Sequence, residues 1–420
     1  MKIKLLILSL ILFSPLHGEE EELIIPLSTK NHLSTVMITP FVSSAFSEEY
    51  LKTLQEVLVF DLNHNGSAVV ESKGAVDFQV DVDIRDKCLF ALISSKKIGP
   101  YLLSGSLSSD RRIIHKLADD LTQIITGKKG IATFRILYAM QFPEKTLDGY
   151  EWKSEIWESD YDGENKRQIT AESSYCITPV FFPAENKFLY VNYKNGQPKI
   201  YISSFNQSKG ESLIPLRGNQ LLPAISKKGD LIAFISDASG RADLFVQLFS
   251  HSHGLIGKPI QVFSYPRSVQ ASPTFRPDGK KIAFVSDKDG TPRIYLIDTP
   301  DPRKDFSPRP LCITKQYRHN TCPAWSPDGT KLAYSAMIDG SRQIMIYDFL
   351  TKEEIQLTRG KSHKENPSWA PNSLHIIYNT VDLSTSELFI VNLKQKEMFQ
   401  VTNGPGKKHY PAWEPTRDPL

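Results

Sequence analysis

Between Pro323 and Asp348 the alternation of apolar and polar residues leaves little choice of local structure. The string PAWSPDGTKLAYSAMIDGSRQIMIYD reads as a short apolar strand, a Pro-Asp-Gly turn, an alternating run, an Asp-Gly turn and a second alternating run. Period-two alternation broken by such turns predicts consecutive antiparallel strands. Pro273 to Asp298 (PTFRPDGKKIAFVSDKDGTPRIYLID) repeats the pattern at the same spacing, and weaker copies start at Pro179, Pro223 and Pro367. A sixth anchor, Pro411-Ala412-Trp413, stands alone near the end. A repeat of about 40 to 50 residues built from four short strands predicts a β-propeller.

Only five anchors are followed by complete units, and the missing pieces lie at the other end of the repeat array. Phe134–Met140 (FRILYAM), Glu155–Asp160 (EIWESD) and Lys166–Thr170 (KRQIT) match the second, third and fourth strands of a unit whose first strand is Tyr410–Trp413. The prediction is six blades in a ring closed by three N-terminal strands and one C-terminal strand, which leaves no open sheet edge.

Upstream the periodicity changes. Thr35–Ile38 predicts a strand, and Ser47 predicts the N-cap of a helix with Leu51, Leu54, Leu58 and Leu62 on one face, ending near Asn63–Gly66. Val76–Ile84, Cys88–Ser94 and Tyr101–Leu107 predict strands; Asp110 to Ile125 predicts a second helix with Ile113, Leu117, Leu121 and Ile124 on its stripe and Gly127 as its stop. The expected fold is therefore a small α+β domain over 34–130 and an all-β six-bladed propeller over 131–420.

Composition adds an address. Met1–Gly18 has a basic start, an apolar run from Leu5 to Phe13 and a small residue before four glutamates, the layout of a cleavable secretory signal peptide. Residues 19–33 are acidic, then polar, and read as a flexible tail. The net charge is +3, two units of which are Lys2 and Lys4, so no basic field suited to nucleic acid is expected. No apolar run is long enough to span a membrane in the mature chain. Cys88, Cys176, Cys312 and Cys322 show no metal-ligand spacing; Cys312 and Cys322 are close enough to bridge, but four buried free thiols is the preferred reading.

The Pro277-Asp278-Gly279 and Pro327-Asp328-Gly329 triplets are turn chemistry rather than calcium loops, because no ladder of acidic ligands accompanies them. Phe181, Phe275, Trp325, Trp369 and Trp413, two residues after their anchor prolines, are expected in the core between blades. The residues leading into each anchor are expected to ring one mouth of the channel. Ser272, His319, Asn320, Thr321, His363, Glu365, His409 and Tyr410 are the candidate partner-binding set, and His319, His363 and His409 read alternatively as metal ligands of a propeller lyase or hydrolase-like enzyme. Neither a Gly-x-Ser-x-Gly elbow nor a His-Glu-x-x-His pair is present, so a chain with no catalytic residues and no cofactor is expected.

The segments HKLADDLTQIITGKKGIATFRILYAMQ (His115–Gln141) and SDYDGENKRQIT (Ser159–Thr170), with the repeats PAWSPDGTKLAYS and PTFRPDGKKIAFVS, resemble those of the TolB family. The resemblance covers nearly the whole mature chain. It implies a non-enzymatic periplasmic scaffold of the Tol-Pal system, supporting envelope integrity and cell division. It further implies that the peptidoglycan-associated lipoprotein Pal docks on the channel rim around His319 and Thr321, and that the tail at 19–33 reaches an inner-membrane TolA-type protein. Two features depart from the family pattern: Pro223 and Pro367 lack the Asp-Gly of the first turn, and the tail opens on Glu19–Glu22.

Overall fold

The computed structural model describes residues 33–146, 149–301, 309–382, 385–395 and 398–416. The signal-peptide reading and all but the last residue of the tail reading fall outside the described residues.

The first domain contains β1 (Ser34–Ile38), α1 (Glu48–His64), β2 (Ala68–Val70), β3 (Phe78–Arg85), β4 (Cys88–Ile93), β5 (Lys96–Leu102) and α2 (Leu107–Thr126). Its sheet runs β2-β1-β3-β4-β5, parallel across β2, β1 and β3 and antiparallel from β3 to β5. Ser47 caps α1 by accepting the Tyr50 amide at 3.3 Å, and Leu51, Leu54, Leu58 and Leu62 are all buried.

Three details differ from the sequence reading. The strand expected at Tyr101–Leu107 lies at Lys96–Leu102, because the following residues are taken up in starting α2. That helix opens at Leu107, not Asp110; Asp110 sits in the first turn and organises it from inside, accepting the amides of Ser104 and Gly105 at 2.9 and 3.0 Å and the Tyr50 hydroxyl at 2.5 Å. The buried stripe is Ile114, Leu117, Ala118 and Leu121, with Ile113 and Ile124 at its margins. Gly127 ends the helix in the left-handed region (φ 72°), as a C-terminal glycine does at no steric cost.

Six four-stranded sheets follow. In the closing blade, blade 1, Lys407–Trp413 pairs with β6 (Arg135–Thr146), β6 with β7 (Gly149–Asp160) and β7 with β8 (Arg167–Gln168). Blades 2 to 6 begin with inner strands at Cys176, Gln220, Gln270, Thr321 and His363. The Ile-Thr and Leu-Thr endings fasten the outer strands: Thr170, Thr314, Thr358 and Thr402 accept the amides of Ile156, Ile294, Ile344 and Leu388 at 2.8 to 3.1 Å. Asp278 and Asp328 accept the amides two residues on, at 3.0 Å each, beside Gly279 and Gly329 at φ 71° and 72°. All four cysteines are free. Only Cys176 is fully buried, which corrects the expectation of four buried thiols; Cys88, Cys312 and Cys322 are half-buried.

The domains meet over blades 6 and 1. The His64 carbonyl receives His375 Nε2 at 2.7 Å, the Asn63 carbonyl receives the Gln395 amide at 2.9 Å, and Asp61 of α1 accepts the Tyr161 hydroxyl at 2.7 Å. Phe399 packs edge-on against Phe60 and Tyr161 across the junction, and those two rings are tilted on each other.

Candidate functional site: the channel and its rim

Every inner strand carries the same irregularity one residue before its anchor proline. Thr178, Leu222, Ser272, Cys322, Asn366 and Tyr410 all have φ between 46° and 54°. In each blade this residue and its proline face a single partner residue in the next strand, the signature of a β-bulge: for example, Thr321 pairs with Ser335 and Ala324 with Ala333, leaving Cys322 and Pro323 opposite Tyr334. The partners are Tyr138, Tyr190, Phe234, Phe284, Tyr334 and Tyr378, each at most 1 % exposed. Proline suits the position because a bulge frees its ladder site of any need for an N–H. The left-handed conformation is costly for side chains such as Leu222 and Thr178, of order 1–3 kcal/mol each. What it achieves is a side chain turned toward the axis.

The consequence is a central cavity of about 1150 Å³. Its wall includes these six residues, the anchor prolines, and Phe181, Phe275, Trp325, Trp369 and Trp413. Those aromatic residues are 5 to 8 % exposed, so they fill the spaces between blades and also form channel wall. From the bulges the cavity extends along the strands to the Pro-Asp-Gly turns.

The eight candidate residues are divided among four positions in this geometry. Ser272 and Tyr410 are bulge residues and line the cavity. Thr321, Glu365 and His409 lie one residue earlier, half-buried within strands. His319 is exposed and His363 half-buried, each four residues before its anchor proline, on the side of the bulge away from the turns. Ser272, Thr321, His363, Glu365, His409 and Tyr410 thus belong to strands, not to the loops expected from sequence. Asn320 is fully buried; its side-chain amide bonds the Tyr317 carbonyl at 3.0 Å, so it offers no surface to a partner. Its equivalents Cys176, Gln220, Gln270, Lys364 and Lys408 are at most 3 % exposed as well, which marks the third residue before the proline as a staple between blades. Gln220, for instance, donates to the carbonyls of Ile214 and Leu216, and Lys408 to those of Gly404 and Gly406.

The polar groups are concentrated in blades 5, 6 and 1. Arg342 pairs with Glu365 and donates its backbone N–H to His363 Nδ1 at 3.1 Å. Cys322 donates to Asn366 Oδ1 at 3.1 Å, Asn366 donates to Asn379 Oδ1 at 2.9 Å, and the Tyr410 amide reaches the same oxygen at 3.3 Å. Blades 2 to 4 present Thr178, Leu221, Leu222, Ala271 and Ser272 instead. Arg342 and Asn379 were not singled out in the sequence, yet Asn379 left a trace there. The other blades hold Val191, Ile235, Val285, Ser335 and Ala139 at its register position.

Exposed cations lie on the connections at this end of the blades, with carboxylates beside them: Asp237 accepts the Asn219 amide at 2.6 Å, Asp287 the Val269 amide at 2.7 Å and Glu354 the Lys315 amide at 2.7 Å. The connections entering the inner strands of blades 3 to 6 (213–219, 264–269, 313–319 and 358–362) expose Arg217, Arg267, Lys315, Arg318, Arg359 and Lys361 and contain no carboxylate. Beside them β6 and β7, 12 residues each against five to eight in the other blades' second and third strands, project a hairpin with Tyr150 and Trp152 exposed. Lys407 Nζ lies 5.3 Å from the Trp152 ring centre.

Burial sets the protonation of the sector. It pushes the His409 imidazole down to about 4, with Glu365 opposing and Lys407 assisting, and pushes the Tyr410 phenol and Cys322 thiol up. Burial likewise pushes His375, at the domain junction, down to about 4. A histidine whose folded pKa is depressed leaves the unfolded state holding more protons once the pH drops below its ordinary 6.5. The folded state should therefore lose stability from pH 6.5 down to 4, on the order of 3 kcal/mol for each of the two. Urea unfolding across that range checks it: a His375→Gln, His409→Gln double variant with an unchanged acid slope would refute the assignment.

His319, His363 and His409 do not form a metal centre. Among the described residues the one group that brings three ligand atoms within 4.8 Å is His115, Asp160 and Asp162, at the domain junction.

The family model for the TolB β-propeller domain matches residues 122–417. The chain belongs to the TolB family. It is 44 % identical over 381 residues to the TolB homologue of Protochlamydia amoebophila, covering 81 % of each chain. It is 36 % identical over 363 residues to that of Chlamydia trachomatis serovar L2, covering 84 % of this chain and 82 % of the other. The crystal structure of TolB from Acinetobacter baumannii superposes with a TM-score of 0.74 over 94 % of this chain and 98 % of that one, at 20 % identity, and shares the fold.

Proposed function

We propose that this protein is a periplasmic, non-enzymatic scaffold of the Tol-Pal type. Its channel rim binds the peptidoglycan-associated lipoprotein, its N-terminal tail at 19–33 engages an inner-membrane TolA-type protein, and the pair of contacts supports envelope integrity and division. Export would follow cleavage after Gly18. The observation that carries the binding reading is the rim itself: a half-buried polar sector of Glu365, His363, His409 and Tyr410, flanked in the connections entering blades 5 and 6 by the exposed cations Lys315, Arg318, Arg359 and Lys361. Such a surface fits an acidic partner and steers its approach. Ser272, His319 and Thr321 complete the proposed contact set.

The non-enzymatic reading is supported by the sector's chemistry. The thiol of Cys322 is held in its neutral form by burial and donates to an amide oxygen rather than to a base. Burial keeps the His409 imidazole neutral, and its Nδ1 lies 3.3 Å from the Ser386 hydroxyl, itself hydrogen-bonded to backbone carbonyls.

Capture of envelope lipoprotein by the purified protein tests the site. Arg318→Glu with Arg359→Glu is expected to weaken capture at least about tenfold, and raising salt should weaken wild-type capture in the same direction. Capture that ignores both would overturn the rim as the docking face. Loss of TolA-type binding on removing residues 19–33, with lipoprotein capture intact, tests the second contact separately.

A further inference from the structure

The junction between the two domains contains a buried histidine that the proposed scaffold role does not use. His115 of α2 is 1 % exposed, and its Nδ1 lies 2.7 Å from Asp61 Oδ2. The other oxygen of Asp61 accepts the Tyr161 hydroxyl at 2.7 Å. A carboxylate can only accept here, so Nδ1 carries the proton and donates, and in the neutral ring the lone pair is on Nε2. That atom has no hydrogen-bond partner. It points toward Asp162 Oδ2 at 3.5 Å and Asp160 Oδ2 at 4.0 Å. Beside it is a cavity of about 210 Å³ lined by Arg112, His115, Thr133, Arg135 and Asp160.

The Nε2 edge of the ring thus faces two carboxylate oxygens, a place that favours positive charge. The separations are too long for an aligned hydrogen bond. The 3.5 Å separation suits an ion, since two metal–ligand bonds of about 2.0–2.2 Å at a tetrahedral angle place their ligand atoms about 3.3–3.6 Å apart, and the 4.0 Å separation to Asp160 needs only a small closure to join it. The Asp61–His115 bond supplies the orienting carboxylate that metal-bound histidines carry behind them. We propose that His115, Asp160 and Asp162 bind a divalent first-row transition metal of the Zn²⁺ type, joining α2 to blade 1. One imidazole and two carboxylates make a borderline donor set, suited to zinc with water completing its shell.

The site is contested by two of the protein's own cations and an amide. Arg111 pairs with Asp162 Oδ2, Arg112 Nε lies 3.3 Å from Asp160 Oδ1, and Asn165 donates to Asp160 Oδ2 at 2.5 Å. The oxygens that face Nε2 are those held by Arg111 and Asn165, which the metal must displace, while Arg112, 55 % exposed on the other oxygen of Asp160, opposes the ion by its charge. This gives the proposal a signature that ordinary surface binding lacks: removing a cation should tighten zinc binding, and removing a carboxylate should weaken it.

Calorimetric titration of the full exported chain with ZnCl₂ is the test, with thermal unfolding as its second readout. One equivalent of zinc is expected to bind, to raise the unfolding temperature and to leave with a chelator. Asp162→Asn should weaken binding at least about tenfold, and Arg112→Gln should tighten it several-fold. Absence of saturable one-to-one binding overturns the site, as does zinc binding that survives Asp162→Asn. Should Asp162→Asn fail to fold, Arg112→Gln still decides, because affinity no tighter than wild type would leave the cluster as an ion-pair network alone.

Discussion

Ending the chain after Thr402 is expected to abolish the folded propeller rather than trim it. The inner strand of blade 1, Lys407–Trp413, supplies the ladder along β6 that turns an open array into a ring. Without it, β6 becomes a free edge and the cavity between blades 6 and 1 loses the buried Trp413. The strand is also locked just past its end. Arg135 of β6 bonds both oxygens of Glu414, at 3.1 and 2.9 Å, and reaches Glu158 of β7 at 3.0 Å, all three in largely buried positions. Glu414→Ala alone should cost about 3–5 kcal/mol, since it leaves the guanidinium buried with half its partners. Size-exclusion chromatography and urea unfolding decide: a truncated chain that stays monomeric and melts like wild type would show that the ring does not depend on its seam.

Asp61→Ala should be the most damaging single change at the domain junction, at about 3–5 kcal/mol. Asp61 is 2 % exposed and holds both the His115 imidazole and the Tyr161 hydroxyl. Alanine strands two buried donors in a space that water cannot readily fill. Asp61→Asn should recover part of the loss, because its carbonyl oxygen still accepts one of them. Denaturant titration of the three proteins provides the check, and a cost below about 0.5 kcal/mol for alanine, the range of ordinary surface changes, would contradict the reading.

The blade count and the ring closure were legible because each rests on a pattern repeated several times, so that errors at one copy are corrected by the others. The α+β domain has no such redundancy. β2 is three residues long and carries no alternation to detect, and β5 slid because the Leu-Leu pair at 102–103 looks like strand interior when Leu103 already belongs to the approach to α2. At the rim, sequence identified the right neighbourhood but could not rank its residues. Asn320 and Thr321 are both small polar residues before an anchor. One is sealed between blades and the other half-open, and the difference follows from strand alternation combined with the bulge. A bulge is a backbone event with no fixed residue type: Thr, Leu, Ser, Cys, Asn and Tyr all occupy it here. Arg342 escaped notice because it lies 23 residues from Glu365 in the chain, on the neighbouring blade's third strand.

The placement of the first domain has a mechanical consequence. It grips Tyr161 at the end of β7 on one side and His375 and Gln395 of blade 6 on the other, and so straddles the boundary where the ring is closed. A pull applied through that domain is shared between the last-made and first-made blades instead of peeling either one. The strand that closes the ring, Lys407–Trp413, lies between the two gripped blades and would carry the load along its hydrogen-bonded length as shear. In a protein proposed to stand between two membranes, the seam of the ring is thereby loaded along its strands rather than across them.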